Sequence, residues 1–164
     1  EFFQPLTSRA VRVINDADAA GLAEMQFGAG RDFNRPDGGT VLLLTLGTGI
    51  GSAFFYRGRL FPNTEFGHAF LENGREGEAI AAASVRVREK LDWPDWAARL
   101  NYFLKEMEKL ITPDLIILGG GIVENFELFR THLKTVAEIR PAEMGNDAGL
   151  IGAAYYTSLG LSAQ

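Results

Sequence analysis

Three residues with chemistry in their side chains, Asn15, Asp16 and Asp18, stand between a short apolar run, Val11 to Ile14, and a helix-like run, Ala17 to Phe27. One reading of them is structural. Asn15 or Asp16 can cap the helix by accepting an exposed backbone N–H, an interaction worth about 1 kcal/mol. Acidic residues in a first turn also suit the positive end of the helix dipole. Whether they do more depends on what else the chain brings to them.

Two glycine turns are the next candidates. G-T-G-I-G, Gly47 to Gly51, follows the apolar run Val41 to Leu46 and precedes the aromatic-rich stretch Ser52 to Tyr56. A dinucleotide fingerprint would have to open a helix, and the residues after these glycines read as a strand, so that reading fails on context. Two readings remain. The glycines serve a tight turn that needs positive φ, or Gly47, Thr48, Gly49 and Gly51 let backbone amides and a hydroxyl approach a phosphate closely. Three glycines and a threonine are more than a plain hairpin requires, which favours the phosphate. Gly119, Gly120 and Gly121 follow the strand-like Asp114 to Leu118 in a strand–turn–helix setting, where ligands lie beyond the carboxyl ends of strands. D-G-G-T at Asp37 to Thr40 precedes its strand and is a decoy.

A hairpin places the third group. If the chain runs out along Ser52 to Tyr56, turns at Arg57-Gly58 and returns along Arg59 to Phe61, the loop P-N-T-E-F-G-H ends near the first glycine turn. Glu65 and His68 then sit beside it, either as ordinary surface or structural residues or as a carboxylate and an imidazole gripping polyol hydroxyls.

The elements that must position these groups alternate between strand and helix patterns, which indicates an α/β unit. A strand is expected at Val11 to Ile14, and helices at Ala17 to Phe27, Glu76 to Leu91, Trp93 to Ile111, Val123 to Leu133 and Asn146 to Tyr156. A short strand is expected at Thr135 to Ile139. The 164 residues, 46% hydrophobic and 23% charged, fit one globular unit. A net charge of −5 with dispersed signs offers no stripe for nucleic acid, and no apolar run approaches the roughly 20 residues of a membrane span. Zero cysteines exclude disulfides and thiolate metal sites, which is compatible with the cytoplasm.

Taken together, V-I-N-D-A-D-A-A-G-L-A-E, T-L-G-T-G-I-G-S-A, P-N-T-E-F-G-H, L-I-I-L-G-G-G-I and N-D-A-G-L-I-G-A-A resemble the ROK family of sugar kinases and repressors, and most closely its polyphosphate glucokinases. The resemblance runs from about Val11 to about Tyr156. It implies an actin-like (ribonuclease-H-like) sugar-kinase lobe with a mixed sheet and flanking helices, with Asp16 as general base on the C6 hydroxyl of glucose. Asn15, Asp16, Glu65 and His68 would bind the sugar, the G-T-G-I-G turn would hold donor phosphates, and the G-G-G turn would border the nucleotide. It further implies Mg²⁺ with ATP or polyphosphate as donor, and a homodimer in the full-length protein. An ATP-only hexokinase and a non-catalytic sugar-responsive regulator are the alternatives.

Two departures qualify the resemblance. Most members carry a zinc-binding cysteine cluster after E-x-G-H, and Leu71 to Ser84 has none; polyphosphate glucokinases look similar in this, so no zinc and no other protein-held metal is expected. The N-terminal lobe with its Asp-x-Gly-Gly-Thr turn is also absent, so residues 1–164 are expected to form the C-terminal lobe, with exposed apolar surface on the last helix. Basic contacts for a polyphosphate chain are not evident, since Arg57 and Arg59 fall at the far end of the hairpin, roughly 17 Å from the glycine turn at strand rise.

Overall fold

The run V-L-L-L-T-L is apolar at consecutive positions, and a strand written this way must be covered on both faces. The computed structural model, which describes residues 11–161, places it as the central strand of a five-stranded sheet. The strands are β1 (Thr40–Leu46), β2 (Ile50–Tyr56), β3 (Arg59–Phe61), β4 (Leu115–Gly119) and β5 (Glu138–Pro141), in the order β3-β2-β1-β4-β5. The hairpin side is antiparallel, and β1, β4 and β5 run parallel, so the sheet is mixed as expected.

Alternation along each central strand divides the core in two. Leu42, Leu44, Ile116 and Leu118 face α4 (Trp93–Ile111), whose Trp96, Leu100, Phe103, Leu104 and Met107 are fully buried against them. Val41, Leu43, Leu115 and Ile117 face the other way, onto α1 (Asp16–Phe27) and α6 (Ala148–Leu161). Each fully buried leucine or isoleucine contributes about 1.5–3 kcal/mol, so the sheet is the main source of stability. Small residues set the approach of α1 and α6. A Cβ at Gly21 would lie 2.8 Å from both Ala53 Cβ and Phe55 Cε2, and one at Gly152 would fall on the carbonyl oxygen of Ala19. Leu150 and Leu159 on α6 remain exposed, the apolar surface anticipated on that helix.

Several elements depart from expectation. Val11 to Ile14 forms no strand: an apolar run is held as a sheet strand by burial of at least one face, and Val11, Arg12 and Val13 are all exposed, Val13 at 75%. Asp16 therefore opens α1 rather than ending a strand. The single helix expected over Glu76 to Leu91 is two, α2 (Glu78–Ala81) and α3 (Ala83–Glu89), broken at the extended Ala82 (φ −58°, ψ 152°). The carbonyls of Ala81 and Ala82 accept from the buried Trp96 indole at 3.2 and 3.3 Å, and the Ser84 amide donates to Gly47 instead of continuing the helix. The helix expected over Val123 to Leu133 is a 3₁₀ turn (Gly121–Asn125), α5 (Phe126–Phe129) and a second 3₁₀ turn (Arg130–His132). The last strand begins at Glu138, three residues later than expected, because Glu108 accepts the amides of Val136 and Ala137.

The α1–α6 crossing yields a stability test. Gly152→Ala should cost about 1–3 kcal/mol through backbone overpacking, more than the gain of up to about 1 kcal/mol that alanine brings to a helix. Gly149→Ala, whose Cβ would meet nothing within 4 Å, should be neutral or stabilising. Thermal melts should separate the two by several degrees; equal midpoints would contradict this packing.

Candidate active site

Register brings the two glycine turns together. β1 pairs parallel with β4, Thr45 opposite Gly119, so both turns leave the sheet at the same carboxyl edge. Gly120 (φ 85°, ψ 174°) lies against the backbone of Leu46, where a Cβ would come within 2.5 Å of the carbonyl oxygen. Only glycine serves there, through both its left-handed φ and the close approach.

The first turn needs glycine for a different reason. None of Gly47, Gly49 and Gly51 has positive φ, so the tight-turn reading does not account for them. A Cβ at Gly49 would strike the Glu78 carboxylate, one at Gly51 would come 2.5 Å from Thr45 Oγ1, and Gly47 faces open space. The Gly47 amide closes the turn on the Gly49 carbonyl at 3.0 Å, and Ser84 takes the other carbonyls, its amide donating to Gly47 at 3.0 Å and its hydroxyl to Thr48 at 2.7 Å. The amides of Thr48 and Gly49 donate to nothing among the described residues. Two unengaged amides at an open turn form an anion-binding concavity.

The hairpin returns the P-N-T-E-F-G-H loop to this turn. Ser52 on β2 holds it: the Ser52 hydroxyl donates to the Thr64 carbonyl at 2.9 Å and accepts from the Phe66 amide at 3.0 Å, and Thr64 Oγ1 donates to the Ser52 carbonyl at 3.1 Å. Gly67 then rests directly on the Ile50 carbonyl. Between these anchors Glu65 and His68 are presented to a cleft of about 410 Å³, which Asp16, Gly47, Thr48, Gly49, Gly51, Glu78 and Gly120 also line. Asn15 borders it through a 3.4 Å bond from Nδ2 to Glu65. A second cleft of about 230 Å³ shares Asp16, Thr45 and Gly120 and extends past Gly119 to Gly145 and Asn146. Gly121 lines neither cleft.

The cap is Asn15, whose Oδ1 also accepts the Asp18 amide at 3.4 Å, and Asp16 is the first residue of the helix. Asn15 Oδ1 and Asp16 Oδ1 each accept the Ala17 amide at 2.8 Å. Asp16 is exposed and lines the cleft, and its Oδ2 makes no hydrogen bond to the described residues. Asp18 is not a cap. It is 1% exposed, with Oδ2 accepting the Asn63 amide at 2.8 Å. Burial pushes its carboxyl above the usual range, the Asn63 bond opposes this, and the charges of Glu65 and Asp16 add to the rise.

Glu78 and Glu76 were not singled out in the sequence. Glu78 Oε2 accepts the Ile50 amide at 3.3 Å, and Glu76 accepts from or donates to His68 Nδ1 across 3.3 Å according to protonation. His68, Glu76 and Glu78 form the one group of possible metal ligands among the described residues, with ligand atoms within 4.8 Å of one another. A structural zinc site takes four ligands, commonly thiolates; here the carboxylate on Nδ1 instead orients the ring so that Nε2 is the nitrogen left for a ligand. No sequence signal marked either carboxylate, since Glu78 lies outside every recognised spacing and its place depends on the Ala82 break four residues later.

The hydrogen bond to Glu76, then the charge of Glu78, raises the His68 pKa above its ordinary value. The imidazolium and its ion pairs are therefore fully present below the unfolded pKa and lost as pH rises through the raised one. Glu76→Gln removes the first cause, so the NMR titration midpoint of the His68 ring should move to lower pH. An unmoved midpoint would show that Glu76 does not set the ring's charge.

The ROK family model matches residues 2–81. The chain is 48% identical over 149 residues to the polyphosphate glucokinase of Mycobacterium tuberculosis (strain CDC 1551 / Oshkosh), an alignment covering 91% of this chain and 54% of that protein. It superposes with a TM-score of 0.85 on the inorganic polyphosphate/ATP-glucomannokinase from Arthrobacter sp. strain KM, at 43% identity over 95% of this chain and 60% of the other. The ROK family glucokinase from Streptomyces griseus, crystallised with glucose and AMPPNP, shares the fold with a TM-score of 0.77 and 22% identity, over 93% of this chain and 70% of the other. The chain spans about half the length of the curated polyphosphate glucokinases it matches. The family model and these likenesses in sequence and fold agree in pointing to the ROK family.

Proposed function

We propose that this chain is the C-terminal lobe of a two-lobed cytoplasmic kinase that transfers a phosphoryl group from inorganic polyphosphate, ATP or both to the C6 hydroxyl of glucose, giving glucose 6-phosphate. The observation that carries the reading is the single cleft that gathers Asp16, Glu65 and His68 with the unengaged amides of the first glycine turn. The names of its relatives, polyphosphate glucokinase and polyphosphate/ATP-glucomannokinase, supply the substrate class. Among the described residues no helix is long and apolar enough to cross a membrane.

In this reading Asp16 Oδ2 lies within about 3 Å of the C6 hydroxyl and takes its proton as the oxygen attacks the terminal phosphorus. The bond between that phosphorus and the leaving phosphate oxygen breaks in line, and the leaving group departs with the electron pair. Glu65 accepts hydrogen bonds from sugar hydroxyls, while Asn15 and His68 complete their placement. The Thr48 and Gly49 amides and the Thr48 hydroxyl receive donor phosphate oxygens, and the Gly119 to Gly121 turn borders the donor's far side. The oxygen donors facing the cleft, Asp16, Glu65 and Glu78, suit Mg²⁺, which binds through one or two carboxylates plus substrate phosphates. When bound, that ion neutralises charge on the transferring group.

Positioning accounts for most of phosphoryl-transfer catalysis, so residues 1–164 alone should show negligible turnover, and joining them to an N-terminal lobe should restore it. In the two-lobed enzyme Asp16→Asn should lower kcat by about 10²–10⁴ with little change in glucose affinity. Glucose 6-phosphate formation measured separately with polyphosphate and with ATP tests the donor. Turnover with ATP only would make the enzyme an ATP-dependent hexokinase, and undiminished kcat in Asp16→Asn would remove the assigned base.

A further inference from the structure

We infer that Asp18 is a positioning residue for sugar binding, a buried tether that fixes the loop carrying Glu65 and His68 to the same helix that carries Asp16. The inference rests on the reading of Glu65 and His68 as sugar ligands given above.

The tether is a bond between α1 and a residue that does not hold its own shape cheaply. Asn63 has φ 61°, in the left-handed region that few non-glycine residues adopt, although asparagine tolerates it best. Its amide donates to Asp18 Oδ2 at 2.8 Å. Two residues later comes Glu65, and its two neighbours, Thr64 and Phe66, are the residues bound to Ser52. Ser52 therefore fixes the loop to the sheet, and Asp18 fixes it to α1. Asp16 and Asp18 share the first turn of α1, so the second attachment locks the distance between the base and the sugar-binding carboxylate.

The burial of Asp18 supports a role beyond helix formation. Its Oδ1 has no hydrogen-bond partner among the described residues, and a buried carboxylate oxygen left unpaired is costly. An alanine here would suit α1, which is otherwise built from Ala17, Ala19, Ala20 and Gly21 at this level. The one interaction that the carboxylate provides in return is the bond to Asn63, charge-assisted and aimed at the loop of the site. Asp18 is too deeply buried to touch substrate, which separates it from Asp16.

Two measurements test this. In the 164-residue chain, Asp18→Ala should speed amide hydrogen exchange across Asn63 to His68 while leaving β1 and β4 protected. In the two-lobed kinase, the same substitution should raise the KM for glucose about tenfold or more with kcat changed less than about threefold, the opposite split from Asp16→Asn. Asp18→Asn, which keeps an acceptor for Asn63, should fall between parent and alanine in both readouts and serves where the alanine variant fails to fold. An unchanged glucose KM in the folded variant, or a kcat loss matching that of Asp16→Asn, would overturn the inference. A parent kinase inactive on glucose would refute the proposed function instead, and the exchange pattern alone would then decide whether the tether exists.

Discussion

The pairing of β1 with β2 on one side and β4 on the other is the constraint from which the site follows. β1 is buried on both faces, so its register cannot slip by one residue without exchanging Leu42, Leu44 and Leu46 for Val41, Leu43 and Thr45. That register fixes Leu46 against Ile50 across the hairpin and Thr45 against Gly119 across the parallel pair. Two glycine turns far apart in sequence thereby become one edge. Gly120 lying on the Leu46 backbone is the point of contact, and it tolerates no side chain.

α1 is built to approach this edge. Its alanines and glycine let it lie close to β2, which brings Asp16 to the carboxyl end of the sheet, and two buried carboxylates then hold loops against it. Asp18 takes the Asn63 amide on the hairpin side. Glu24, two turns further on and fully buried, accepts the amides of Ala29, Glu143 and Met144 at 2.9, 3.1 and 2.7 Å. Three N–H donors satisfy that carboxylate and secure the segment leading to α6. One helix thus orders the loops on both of its flanks, which is why a polar group at an inward position is retained despite its desolvation cost.

Legibility in the sequence followed how local each determinant is. The central strands and α4 were readable because Val41 to Leu46 and Trp93 to Ile111 carry strong periodic or continuous patterns, and Pro94 with Asp95 in the first turn marks the start of α4. The return of Glu65 and His68 to the glycine turn was also readable, since hairpin geometry alone requires it. What escaped was set by partners distant in sequence: the break at Ala82 depends on the Trp96 indole and the Gly47 carbonyl, and the place of Glu78 in the cleft depends on that break. Val11 to Ile14 departs from expectation because an apolar run specifies a buried strand only where the rest of the chain covers it, and Val11 and Val13 stay exposed. Asp18 reads from position only as one more acid in the first turn of α1, and its inward turn to the Asn63 amide depends on a partner 45 residues away.

Electrostatics imposes the last condition on the site. On the proposed reading, Asp16, Glu65, Glu76 and Glu78 surround the place where an anionic donor would arrive, in a chain whose formal charge is already −5. Two like charges 4 Å apart cost about 4 kcal/mol at an effective dielectric constant near 20, so the carboxylates that suit a polyol oppose a polyphosphate. Three features of the cleft lower that barrier: the unengaged amides of Thr48 and Gly49, a histidine whose charge Glu76 and Glu78 hold to higher pH, and oxygen donors suited to a divalent cation. The acidic groups also pair off, Glu76 with His68, Glu78 with the Ile50 amide and Glu65 Oε1 with Asn15, which leaves Asp16 Oδ2 and Glu65 Oε2 without a hydrogen bond to the described residues. On the proposed reading the site divides its tasks: Glu76 and Glu78, engaged with His68 and the Ile50 amide, shape the wall, and the second oxygens of Asp16 and Glu65 meet the sugar.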